Sequence, residues 1–134
     1  MSVPNPYQTY MNVQFETADQ GTLILMSYDA AIRFCKAGDQ ALQGADKSVK
    51  GEWLNKAFDV VGELRRSLRP DTGGDVAKQL DQAYAFISRQ ITLANVTSKR
   101  DHIENAVIVL EQLRDAWRQI IKETRKQNSV AIPG

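Results

Sequence analysis

An all-α fold, an antiparallel up-down bundle of four helices behind a short N-terminal cap segment, is what this sequence predicts. Four stretches of about twenty residues each carry apolar side chains at three- and four-residue spacing. Turn-forming residues separate them: Gly44-Ala45-Asp46, then Arg69 to Gly74, then the polar stretch Val96 to Arg100. No run of strict apolar and polar alternation bounded by turns competes for a strand.

Residues 1–19 stand apart as a cap or lid segment. Pro4 and Pro6 interrupt regular structure, while Tyr7, Tyr10, Met11, Val13 and Phe15 supply apolar bulk without long periodicity. Proline is tolerated at a first helical position, so a turn or two can follow Pro6. Thr17-Ala18-Asp19 offers a cap. The bundle proper is predicted over residues 20–124, beginning with a helix from Gln20 to Leu42 whose seam is Ile24, Tyr28, Ala31, Cys35 and Leu42. Leu23, Ala30, Phe34 and Ala41 flank that seam on one side, Leu25 and Ile32 on the other. The resulting apolar arc spans roughly 220°, against the roughly 100° that one-sided packing requires. Such a helix is either central in its bundle or covered by something additional.

The second helix is predicted from Val49 to Leu68, with Leu54, Ala57, Val61, Leu64 and Leu68 as its seam and Trp53, Phe58 and Val60 widening it. The third, Asp75 to Asn95, carries Ala77, Leu80, Tyr84, Ile87, Ile91 and Ala94. Asp101 precedes Glu104 by the spacing of a capping box, with Asp as the cap. From there a fourth helix is predicted to Thr124, with Ile103, Val107, Leu110, Leu113, Trp117 and Ile120. Residues 125–134 lack periodicity and are expected to form a flexible tail.

At 134 residues the chain has the length of one domain, and its 43% hydrophobic and 25% charged content is ordinary for a water-soluble fold. A net charge of +1 provides no large field to recruit nucleic acid or anionic lipid. Basic residues gather as Arg65, Arg66 and Arg69 and as Lys122, Arg125 and Lys126, both where helices are expected to end and cations complement the macrodipole. Cys35 is the sole cysteine, so no internal disulfide can form, and its place in the seam makes it a packing residue. The N-terminus has no basic stretch followed by an apolar one, and no apolar run, Leu23 to Met26 included, is long enough to insert in a bilayer. A cytoplasmic location follows from these expectations.

Catalysis finds no support. His102 is the sole histidine, di-iron bundles need two Glu-x-x-His pairs, and zinc needs several Cys or His ligands. His102, in the first turn of the fourth helix, is expected at the surface. Gly73-Gly74 lacks the strand and the Lys-Ser/Thr of a phosphate cradle. Asp59 and Glu63 fall on a polar face. The expectation is a protein with no cofactor, no metal and no enzymatic activity.

What remains is the wide arc of the first helix and the aromatic lead segment. Tyr7, Tyr10 and Phe15 suit a cover over an apolar groove, ring packed and hydroxyl wet. A groove covered this way can instead accept a partner's helix, or the segment is a permanently docked fifth element.

Several blocks resemble the flagellar export chaperones of the FliS family. They are Asn5-Pro6-Tyr7-Gln8-Thr9-Tyr10, Gln14, Thr17-Ala18, Leu23-Ile24-Leu25-Met26, Tyr28-Asp29 and Ala31-Ile32-Arg33-Phe34. Glu63-Leu64, Ser67-Leu68, Gly73-Gly74, Tyr84, Arg89, Ala94-Asn95 and Leu113-Arg114 with Ala116-Trp117 continue the resemblance. Gln20, Ser27 and Ala30 depart from the proline, leucine and glycine usual there. The resemblance implies a cytoplasmic four-helix bundle that binds the disordered C-terminal region of flagellin. It would prevent premature polymerisation and aid delivery to the flagellar type III export apparatus, with an export-gate component left open as a further contact. It also implies lid residues Tyr7, Tyr10 and Gln14, with Thr17 beside them. Leu25 and Ile32 are the groove-lining candidates, and Tyr28, Tyr84 and Trp117 fall to the core. The rival readings are a self-associating structural bundle and a sequestering regulator of another helical protein.

Overall fold

A computed structural model describes residues 18–44 and 47–131. Four α-helices follow one another: α1, Ala18–Gln43; α2, Lys50–Arg66; α3, Pro70–Thr97; and α4, Arg100–Ala131. A 3₁₀ turn, Lys47–Val49, leads into α2. No strand occurs among the described residues.

Local chemistry explains where the helices stop. α2 has Glu52 in its first turn and Arg65 and Arg66 in its last, both favourable to the macrodipole. The backbone N–H of Ser67 donates to the Glu63 carbonyl at 3.0 Å, and its hydroxyl donates to the Leu64 carbonyl at 2.7 Å. Pro70 sits in the first turn of α3, where its missing N–H costs nothing. Gly74 then breaks the helix with φ 55° and ψ −130°, a backbone state open only to glycine. An added Cβ would meet nothing within 4 Å, so the requirement is conformational. The α3 pattern predicted from Asp75 therefore starts just past this break.

Several boundaries differ from the sequence reading: α1 already includes Ala18 and Asp19, α2 stops two residues before Leu68, and three differences have clear causes. The stretch Val96 to Arg100 is not all loop: α3 continues to Thr97, whose hydroxyl donates to the Leu93 carbonyl at 2.7 Å. Ser98, left-handed at φ 58°, ends the helix and donates its N–H to Ala94 at 2.9 Å. α4 starts at Arg100, so Asp101 is not its cap but an acidic residue of the first turn. Finally, α4 runs past Thr124 to Ala131, because no glycine or proline intervenes before Pro133. Lys122 and Lys126 thus lie along the helix, not at its end.

The helices form a ring in which α1 packs on α2 and α4, and α3 packs on the same two. Gly21 lies beside Ile121, Asp29 pairs with Arg114, and Asp39 pairs with Arg100, so α1 and α4 run in opposite directions. Arg65 with Asp81 and Asn55 with Asn95 set the same opposition between α2 and α3. α1 and α2 approach closely at Gly38, where a Cβ would come within 2.7 Å of Leu54 Cδ2.

The predicted seams fill the interior. Tyr28, Ala31, Cys35 and Leu42 from α1 are buried, as are Leu54, Ala57, Val61 and Leu64 from α2. The whole α3 seam is buried, together with Ile103, Leu110, Trp117 and Ile120 of α4. Across the ring's diagonal the Tyr28 and Tyr84 hydroxyls hydrogen-bond at 2.5 Å, joining α1 to α3 through the core. Burial in this apolar surrounding pushes the Cys35 thiol up to about 12.

His102 is not simply at the surface. It is partly buried and shares a 2.8 Å hydrogen bond with Oε1 of Gln90, the buried polar residue of α3, to which Asn105 also donates at 3.3 Å. The histidine therefore ties α4 to α3.

Candidate partner-binding surface

The wide apolar arc of α1 is accounted for only in part by its central position. On the α2 side, Phe34 stacks on Trp53 with ring centroids 6.1 Å apart, and the Lys56 ammonium lies 4.8 Å from the Trp53 centroid. Leu23, three turns earlier and so on the same side, has no such cover among the described residues and is 58% exposed. The reason is length. Gly38 faces Leu54, and α2 stops twelve residues beyond Leu54, at Arg66, level with Met26. The start of α1 projects past the end of its neighbour, so that Leu23 lies beyond it and Met26 at its edge, each 58% exposed.

Two grooves run along opposite sides of the ring. Between α1 and α4 a depression of about 310 Å³ is lined by Lys36, Asp39, Ile103, Glu104, Val107 and Ile108. Its floor is Ile103, part of the core, and its outer wall is Ile108, which is 53% exposed. At one end Asp39 accepts two hydrogen bonds from the Arg100 guanidinium, at 2.8 and 3.0 Å. Between α2 and α3 a smaller depression of about 180 Å³ is lined by Asn55, Phe58, Ile91, Thr92, Asn95 and Val96. Here Asn95 donates to Asn55 at 3.3 Å, while Phe58 and Val96 stay exposed. A third hollow lies where α2 ends and α3 begins, beside the Arg65–Asp81 ion pair. That pair holds the Asp81 carboxyl below its ordinary range, chiefly through the hydrogen bond from Arg65.

Of the residues singled out from sequence, Tyr7, Tyr10, Gln14 and Thr17 lie outside the described residues. Leu25 is partly buried against the core, and Ile32 belongs to the core at 4% exposure. Both lie on the stripe of α1 that continues to Lys36 and Asp39 at helical spacing, but the α1 side of the first groove is lined by Lys36 and Asp39, and Ile32 faces the core instead. Sequence reasoning passed over Ile108 and Val96. The run Val107-Ile108-Val109-Leu110 carried a signal, because four consecutive apolar residues on a helix cannot all face one core. Val96 was hidden by its polar surroundings.

Chemically, these surfaces offer apolar contact, amides and scattered charges. Among the described residues no group of three or more His, Cys, Asp or Glu side chains converges. No described helix is long and apolar enough to cross a membrane. Fold and surface together define a class: a helical bundle with a filled interior and apolar grooves on its outside. Within that class the chain belongs to the FliS family of flagellar secretion chaperones, since the family's sequence profile, described as "Flagellar protein FliS", matches residues 3–124. A chaperone named flagellar secretion chaperone FliS from Vibrio cholerae is 36% identical over 110 residues, covering 82% of this chain and 81% of its own. Proteins of the same name from Bacillus subtilis and Salmonella typhimurium are 29% and 28% identical, covering 94% and 91% of this chain and 93% and 94% of their own.

Proposed function

We propose that this protein is a cytoplasmic, non-enzymatic export chaperone that binds the C-terminal region of newly made flagellin. It holds that region away from premature polymerisation and brings it to the flagellar type III export apparatus, where an export-gate component is the further contact. The observation that carries this reading is the placement of exposed apolar side chains beside grooves on the outside of a bundle whose interior is already full. Such surfaces suit a segment that folds as it binds, and coupled folding of this kind buries about 1,000–3,000 Å². Leu25 would meet the client, with Ile32 supporting it from beneath. Tyr7, Tyr10, Gln14 and Thr17 would form the lid that covers the site when no client is present.

Isothermal titration with the C-terminal segment of flagellin from the same organism, with circular dichroism on the mixture, tests this. One-to-one binding with more helix than the two parts contribute separately is the expected result. No heat and no added helix would overturn it. Removing residues 1–16 is expected to raise binding of a hydrophobic dye, and an unchanged signal from a folded protein would overturn the lid.

A further inference from the structure

The groove between α1 and α4 has rims of opposite charge that are not spent on each other. Lys36 stands exposed on the α1 side and Glu104 exposed on the α4 side, both lining the same hollow. Neither makes an ion pair or hydrogen bond with another described residue. The nearest candidates for neutralising them are already occupied. Asp39, one turn from Lys36, is held by two hydrogen bonds from Arg100, and Arg100, one turn from Glu104, gives its hydrogen bonds to Asp39 while Glu104 and Asp101 act on it only through weaker charge attraction. Arg33 extends the basic rim by a turn and Asp101 the acidic one, and both are exposed. Between the rims lies apolar floor and wall: Ile103, Val107 and Ile108. The α2–α3 groove has no such polarity, its rims being Asn55, Thr92 and Asn95.

From this arrangement we infer that the α1–α4 groove selects the direction of the helix it binds. Its occupant is an amphipathic helix whose apolar stripe is flanked by carboxylates along one edge and by ammonium or guanidinium groups along the other. Seated one way, the carboxylates meet Lys36 and the cations meet Glu104. Turned end for end, the same helix places like charges against both rims. The inference rests on the reading that this groove takes a client helix, and adds to it that the rims, not the apolar floor, decide which way the client runs. Exposed ion pairs are individually weak, so each rim is worth roughly a two- to fivefold change in affinity, and the effect fades with salt.

The test uses the full chain and a peptide of about 14 residues, roughly 21 Å of helix. The peptide carries a leucine and isoleucine stripe with glutamate along one edge and lysine along the other. A donor dye is placed on Lys99→Cys, at the Arg100 end of the groove, and an acceptor on either the N- or C-terminus of the peptide. Cys35, buried and with its thiol pushed up to about 12, takes no label. Energy transfer is expected to be high from one peptide end and low from the other. Lys36→Glu and Glu104→Lys should each weaken binding by roughly two- to fivefold, and the double exchange should restore affinity with the transfer pattern inverted. The neutral pair Lys36→Gln with Glu104→Gln should bind in both directions. Equal transfer from both ends, or a pattern unchanged by the double exchange, overturns the inference. If the flagellin segment still binds with a gain of helix in that case, the proposed function stands without it. If neither peptide nor segment binds, both fall.

Discussion

The α1–α4 and α2–α3 seams are built alike and finished differently. Each joins two oppositely directed helices, each has a core isoleucine as its floor, Ile103 in one and Ile91 in the other, and each leaves large apolar side chains in solvent. The first is bordered by charges and laced by ion pairs at Asp39–Arg100 and Asp29–Arg114. The second is bordered by amides, with Lys50 bonded to Ser98 and Asn55 to Asn95 near one end and Arg65 paired with Asp81 near the other. The difference teaches that packing and recognition are separable here. The floors set how the helices sit, whereas the groove rims differ in character: charges beside the apolar wall in the α1–α4 groove, amides and a threonine in the α2–α3 groove.

The largest expected effect comes from breaking what the two seams share. Ile103→Ala and Ile91→Ala remove fully packed side chains, and each should lower stability by about 2–5 kcal/mol in urea unfolding. A cost near zero at either site would show that its floor is not part of the core. Next comes a feature of the α1 side alone. The folded state holds the Cys35 thiol at about 12 against an ordinary value of 9.0, so native protein keeps a proton that unfolded protein releases. Its contribution is therefore whole below 9.0 and is lost as pH rises toward about 12, a decline that should shrink in Cys35→Ala. At pH 8 the thiol should react with a disulfide reagent only after unfolding.

Smaller effects distinguish the grooves. Ile108→Ala and Phe58→Ala alter exposed side chains and should move stability by no more than about 0.5 kcal/mol. Each is expected to weaken binding of the flagellin segment by about tenfold, roughly 1.4 kcal/mol, in isothermal titration. Loss from one substitution and not the other would identify a single client groove. The smallest effect is at Asp81. Its carboxyl is held low by Arg65, so the ion pair contributes above the ordinary carboxylate range and is lost as pH falls through the depressed value. Asp81→Asn should lower stability slightly at neutral pH and match the unaltered protein at low pH, which flattens the acid limb of a stability–pH profile.

The seams were legible in the sequence because burial repeats with the helix. Leu54, Ala57, Val61 and Leu64, and the six apolar residues of the α3 seam, fall inside as their spacing requires. Boundaries were less legible. Thr97 stays helical through a hydroxyl bond to Leu93, and Ser98 rather than a glycine takes the left-handed turn, neither of which a composition of polar residues announces. His102 was misjudged because its partner, Gln90, lies on another helix. Grooves are harder still. A groove belongs to two helices at once, so Ile108 and Lys36 mean little until α4 is set beside α1. Leu25 and Ile32 were chosen from one helix alone, and the pairing puts Lys36 and Asp39 of the same stripe, not Ile32, on the groove.

The hydrogen bond between Tyr28 and Tyr84 has a mechanical consequence. It is a diagonal brace in a four-sided frame, and a braced frame resists shear that an open square does not. Pulling α1 outward loads α3 directly, across the bundle, as well as the neighbours α2 and α4. Force applied to the outer face of α1 is therefore shared by all four helices and not borne by one seam.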